Sequence, residues 1–158
     1  MDELTLTSPV FADGGEIPVK YTSDGDNINP PLVIGGVSED AVSLVLLVDD
    51  PDAATDPDGP GKIFDHWVVY NIDPSTRTIE EDSVPKGALV GLNSLGQAKY
   101  IGPAPPNGSH RYRFQLFELS DRINSLALSS SKDEVIQTMV NLTLRKTILI
   151  GTYKRRHS

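Results

Sequence analysis

The chain has 158 residues, no cysteine, and 22 acidic against 14 basic residues, a formal net charge of −8. That length suits a single well-buried domain over residues 1–158. The acidity weighs against a protein that works on nucleic acid or an anionic membrane surface, which needs a basic face, and the lack of cysteine excludes disulfides, thiol chemistry and cysteine zinc sites.

In chain order, the N-terminal MDELTLTSPV is acidic and polar, without the basic start and apolar run of an export signal, so a cytoplasmic protein is expected. No apolar run approaches the length of a membrane-spanning helix. Residues 2–7 alternate loosely, as a first strand does. Residues 12–31 are rich in turn formers, with a short IPVKYT segment of strand character. SLVLLVDD (43–50) is a continuous apolar run of strand length, expected to be a central strand buried on both faces. DPDAATDPDGPGK (50–62) is too rich in proline and glycine for regular structure and reads as a long loop of functional type. HWVVYNI (66–72) is a second strong strand, with weaker strands near 76–80 and 88–92. IGPAPPNGS (101–109) is a second proline–glycine loop, opening into a third strong strand, HRYRFQLFEL (110–119). One helix stands out: Ser131 and Glu134 form a capping box ahead of VIQTMVNL. TILIGTYKR (147–155) returns as a last strand. The fold class is therefore mainly β and antiparallel, with one late helix.

Two of the three histidines, His66 and His110, open strands beside these loops, while His157 falls in the terminal tail. Residues two apart in a strand share a face, so His110 and Tyr112 point the same way. A carboxylate, an imidazole and a phenol meeting there would build a small polar pocket with rigid proline rims. A histidine beside a carboxylate is stabilised in its charged form. Protonated His66 and His110, the Tyr112 hydroxyl and the amides of the 102–109 loop would be the donors such a pocket offers.

The combination DDPDA, then HWVVYNI, then GPAPPNGSHRY resembles the phosphatidylethanolamine-binding protein family, also called Raf kinase inhibitor-like proteins. IPVKYTSDGDNINPPL and the closing GTYKR extend the resemblance over nearly the whole chain, as in the short prokaryotic-type members. Two positions depart from it: Ala54 stands where the family usually has proline, and Val33-Ile34 where tryptophan is frequent. The resemblance implies a large antiparallel sheet packed on a smaller one, with few helices. It also implies a site for phosphate-type anions, including phosphorylated small molecules and headgroups. Carried onto this chain, that site is Asp50, Asp52, His66, Pro106, His110 and Tyr112, with Trp67 and Pro103 on its rim. No catalytic group, metal or cofactor is assigned, and the reading is a binding protein rather than an enzyme. Because the family includes serine protease inhibitors and modulators of kinase signalling, contact with a serine protease or a kinase is the alternative. A homodimer is compatible with a short member.

Two other chemistries draw on the same residues. Asp50 and Asp52 could act as an acid–base pair or join His66 and His110 around a metal, but no nucleophile, His-Glu-x-x-His or phosphate-loop motif accompanies them. Asp50, Asp52, Asp56 and Asp58 with Gly59, and separately Asp24-Gly25-Asp26-Asn27, form oxygen-rich turns of calcium type. Neither follows the EF-hand pattern, since Ala54 interrupts the first and no glutamate closes it.

Overall fold

A computed structural model of the chain describes residues 2–124 and 130–155, so His157 lies outside the described residues. The elements follow as β1 Thr5–Thr7, β2 Leu32–Gly35, β3 Ser43–Asp50, β4 Phe64–Ile72, β5 Thr78–Ile79, β6 Leu89–Val90, β7 His110–Leu119, α1 Lys132–Met139 and β8 Thr143–Tyr153. They build a three-stranded sheet of order β1-β2-β5 and a five-stranded sheet of order β6-β4-β3-β7-β8, antiparallel throughout.

The apolar run 43–50 is central because it has to be. All eight residues of β3 are buried, which requires cover on both faces of the sheet. On one face Leu44, Leu46 and Val48 join Trp67, Val69, Phe114 and Leu149, and pack against Leu6, Leu32, Ile34 and Ile79 of the small sheet. On the other, Val45 and Leu47 join Val68, Tyr70, Val135 and Met139, the last two from α1. Among the described residues no helix is long and apolar enough to cross a membrane.

The expected capping box forms: the Ser131 hydroxyl accepts from the Glu134 amide, and the Glu134 carboxylate accepts from the Ser131 amide. The helix stops at Met139, short of the apolar pattern that continues to Leu142, and Val140 is 70% exposed.

Four local readings change. IPVKYT is not a strand: Val19–Tyr21 is a 3-10 turn, because Pro18 removes a donor and opens the turn at its N-cap. The 50–62 loop contains regular structure after all, a 3-10 turn over Pro51–Ala54. β2 falls in a segment with no strand reading, since LVIGG after two prolines offers only four pairing residues, and its partners are distant in sequence. β8 begins at Thr143, four residues earlier than expected.

Candidate ligand pocket between the Asp50 and His110 loops

Asp49 and Asp50 end β3 and point to opposite faces, as strand neighbours do. Asp49 turns to the helix side, where Arg113 Nε at 2.7 Å and Lys132 Nζ at 2.9 Å hold it and depress its pKa against the effect of burial. Asp50 turns to the inter-sheet side and caps the following turn: its Oδ1 accepts from the amides of Asp52 at 2.9 Å and Ala53 at 3.2 Å. Pro51 occupies the first position of that turn, where its missing N–H costs nothing. The Asp-Pro-Asp-Ala run is thus a self-capping corner that leaves one carboxylate oxygen of Asp50 free to face β7.

That oxygen, Oδ2, lies 2.6 Å from His110 Nδ1, and His110 Nε2 lies 2.8 Å from Asp56 Oδ2. The His110 side chain is 4% exposed. A ring flanked by carboxylates at both nitrogens donates from both, which only the imidazolium can do. Burial works against that charge, but the hydrogen bonds and charges of Asp50 and Asp56 outweigh it and raise the His110 pKa. For Asp50 itself burial prevails and moves its pKa up, against the pull of His110 and the two amides.

His66 is held differently. Its Nδ1 donates to the Ile101 carbonyl at 2.6 Å, and it carries no carboxylate partner. Burial drives its pKa down to about 4. His66 is therefore a neutral ring in the physiological range, which corrects the expectation that both histidines are cationic; the physical reason is desolvation without a paired charge. It reaches the pocket because of a β-bulge. Val48 pairs with Trp67 but Asp49 pairs with Asp65, so β4 carries one extra residue at His66. Alternation breaks there. Phe64 and His66, with ring centroids 4.7 Å apart, then face Tyr112 on the same side as Trp67.

Between these elements lies a cavity of about 180 Å³. Asp50, His66, Pro106 and His110 line it, as do Phe64, Asp58 and Gly102. Gly102 forms part of its wall because nothing larger fits: a Cβ there would stand 2.7 Å from Asn27 Oδ1 and the Tyr21 carbonyl oxygen. Four of the residues expected at the site do not line this cavity. Asp52 faces outward and binds Arg111 through its amide at 2.7 Å and its guanidinium at 2.8 Å, which lowers the Asp52 pKa. Pro103 is buried and ties the loop down, its carbonyl accepting from the Ser23 amide and hydroxyl. Tyr112 is 1% exposed behind the pocket, its ring stacked 6.5 Å from His110 and edge-on 5.2 Å from His66. Its hydroxyl has no hydrogen-bond partner among the described residues, and burial pushes its pKa up, so it keeps its proton. Trp67 packs edge-on to Tyr100 at 5.6 Å and borders a separate hollow with Asn27, Asn29 and Lys99.

Asp50 and Asp52 thus engage different partners on different sides, which is not how an acid–base pair is held. The acidic turns are also spoken for by protein donors: Tyr153 donates to Asp24, and Asn107 donates to both Asp56 and Asp58. Among the described residues no group of three or more histidines and carboxylates is arranged for a metal ion. Sequence reasoning gave no site role to Phe64 or to the side chain of Asn107. Phe64 was within reach, because it stands two residues before His66 in a strand and so shares its face. Asn107 was not, because only tertiary structure brings it to Asp56.

A family model for the phosphatidylethanolamine-binding proteins matches residues 7–154. A UPF0098 protein of Methanothermobacter thermautotrophicus is 41% identical over 157 residues, covering 96% of this chain and 99% of the relative. The crystal structure of the phosphatidylethanolamine-binding protein homologue CT736 from Chlamydia trachomatis superposes with a TM-score of 0.89 at 34% identity, over 98% of this chain and 99% of that one. Escherichia coli YbcL, described as a new member of the mammalian family, gives a TM-score of 0.87 at 25% identity, over 98% and 100% of the two chains. The chain belongs to the phosphatidylethanolamine-binding protein family. Its mainly β fold of a large and a small antiparallel sheet is that of the family's solved structures.

Proposed function

We propose that this protein binds a phosphate-type anion, free or as the phosphate of a small molecule or headgroup, in the cleft between the Asp50 and His110 loops, and acts by binding rather than catalysis. The observation that carries this reading is His110: a buried imidazolium, fixed at both nitrogens, in the wall of a cavity of about 180 Å³. In an acidic chain the charge an anion needs is supplied locally, by a ring whose proton is held by two neighbours. Phe64 and His66 form an aromatic wall, and the Ile101–Pro106 segment fixes the opposite wall with little to order on binding. Asp58, also in the wall, suits a ligand with a cationic group beside its phosphate, as phosphoethanolamine has.

The test is calorimetric titration with inorganic phosphate and, in parallel, with sulfate, whose charge is constant over the range. Because only His110 is cationic, sulfate affinity is expected to fall in one step as pH rises through the raised His110 pKa, above about 6.5. An affinity flat from about pH 5.5 to 9 would contradict the reading.

A further inference from the structure

One carboxylate stands at the side of the cleft in a set of donors that it does not own. The Asp56 side chain is 2% exposed. Its Oδ2 accepts from His110 Nε2 at 2.8 Å and from the Asn107 amide at 3.1 Å. Its Oδ1 accepts from Asn107 Nδ2 at 2.7 Å and from the Asp58 amide at 3.0 Å. Three of these donors come from the loop that leads into β7 and from the first residue of β7, whereas Asp56 arrives from the loop that follows β3. A cationic N–H, a main-chain amide and a side-chain amide converging on two oxygens are what a phosphate group requires. His110 lines both the cleft and a second hollow of about 230 Å³ that includes Asp56 and Asn107. The Asp56–His110 contact stands where the two spaces meet.

We infer that Asp56 is a built-in occupant of an oxyanion subsite formed by His110 Nε2 and the two amides of Asn107, and that a phosphate group binds by replacing it. This rests on the anion-pocket reading above. With Asp56 seated, one imidazolium faces two carboxylates, Asp50 and Asp56, a net −1 for these three groups, to which the nearby Asp58 adds a further negative charge. An anion arriving beside that arrangement is repelled. With Asp56 withdrawn, Asp50 alone pairs with His110, and the Asn107 main-chain amide and the Nδ2 hydrogen that Asp56 held can donate, the other Nδ2 hydrogen being the one given to Asp58. Protonation does not release Asp56, since the Asn107 and Asp58 hydrogen bonds, with His110, hold its pKa at about 2. The segment has to move instead. Gly61, at φ +76° and with nothing within 4 Å of where a Cβ would stand, is a point in the chain beyond Asp56 where the backbone can turn without a side-chain clash. Withdrawal would join the cleft to the second hollow, with His110 midway, and so admit a phosphate monoester whose substituent extends into the cleft.

The experiment compares binding of inorganic phosphate at pH 6 by the wild-type chain, Asp56→Ala and Asp40→Ala. Asp40, exposed in the turn before β3 and so at the far end of that strand from the cleft, loses the same charge outside the pocket. Asp56→Ala is expected to bind phosphate about tenfold more tightly or better than wild type, and Asp40→Ala within about threefold of wild type. Asp56→Ser serves in place of the alanine variant if that chain does not give a native melting transition. Equal gains in the Asp56 and Asp40 variants, or none in either, overturn the replacement while leaving wild-type phosphate binding as support for the pocket. Absence of millimolar binding in every chain, the vacated site included, overturns both.

Discussion

Replacing His110 with glutamine is expected to abolish phosphate binding and to destabilise the protein by about 3 kcal/mol. Asp50, 3% exposed, keeps its two amide donors on Oδ1 but loses the cation on Oδ2. An uncompensated buried charge costs about 3–5 kcal/mol, and the surviving amides place this case at the lower end. A glutamine amide can replace one of the two lost hydrogen bonds and none of the charge. The pH dependence changes as well. The folded-state pKa of His110 is raised, so its contribution to stability is complete below about pH 6.5 and is lost as pH climbs through the folded value. His66 acts in the opposite sense: its pKa of about 4 means that stability is lost as pH falls from about 6.5 towards 4. Urea melts from pH 5 to 9 therefore separate the two rings. The His110→Gln protein is expected to lose the alkaline decline and retain the acid one. An alkaline decline unchanged from wild type would show that the His110 charge is not held as described.

Replacing Trp67 is expected to cost more and to matter less for binding. Trp67 is 1% exposed, sits in the inter-sheet core, and meets Tyr100 edge-on. Truncation to alanine removes that contact and leaves a cavity, at about 3–5 kcal/mol. Trp67→Phe preserves most of the packing. Although residue 67 is the immediate neighbour of His66, Trp67 does not line the cleft, so the phenylalanine variant is expected to bind phosphate within about twofold of wild type. Calorimetry on the folded Trp67→Phe protein checks this. A tenfold loss of affinity with an unchanged melt would extend the site from the cleft to Trp67 and the hollow it borders.

These two residues also show what the chain made legible. The apolar run at 43–50, the strand opening at His110 and the capping box at Ser131 are signals carried by a few adjacent residues, and each appears in the fold; the strand read from His66 is also there but opens earlier, at Phe64. The short strands were harder. β2 has four residues and β5 and β6 two each, so periodicity has almost nothing to act on and distant partners decide the pairing. At the pocket, Asp50, His66, Pro106 and His110 line one cavity; the two histidines at strand starts hinted at a polar pocket, and the full set came from the family resemblance. The charge states were not legible to the same degree. His66 and His110 look alike in sequence, each at a strand start beside a proline loop. Only the three-dimensional surroundings give one ring two carboxylates and the other a single carbonyl oxygen. The bulge at His66, which sets Phe64 and His66 on the same face as Trp67, is a register shift between strands and has no signature within HWVVYNI. Asp56 likewise reads as one more solvated acid in a turn until the fold carries it to Asn107 and His110.

If His110 is the cation of an oxyanion site, as proposed, its ring nitrogens report on it directly. Long-range 1H–15N NMR spectra of the histidine rings, recorded during titration with inorganic phosphate at pH 6, are the measurement. Before phosphate is added, His110 is expected to show both nitrogens protonated and His66 to show a neutral ring with its proton on Nδ1. On titration, His110 Nε2 is expected to shift with saturation while the His66 tautomer is preserved. A neutral His110 at the outset, or saturable phosphate binding that leaves its ring nitrogens unmoved, would contradict the account.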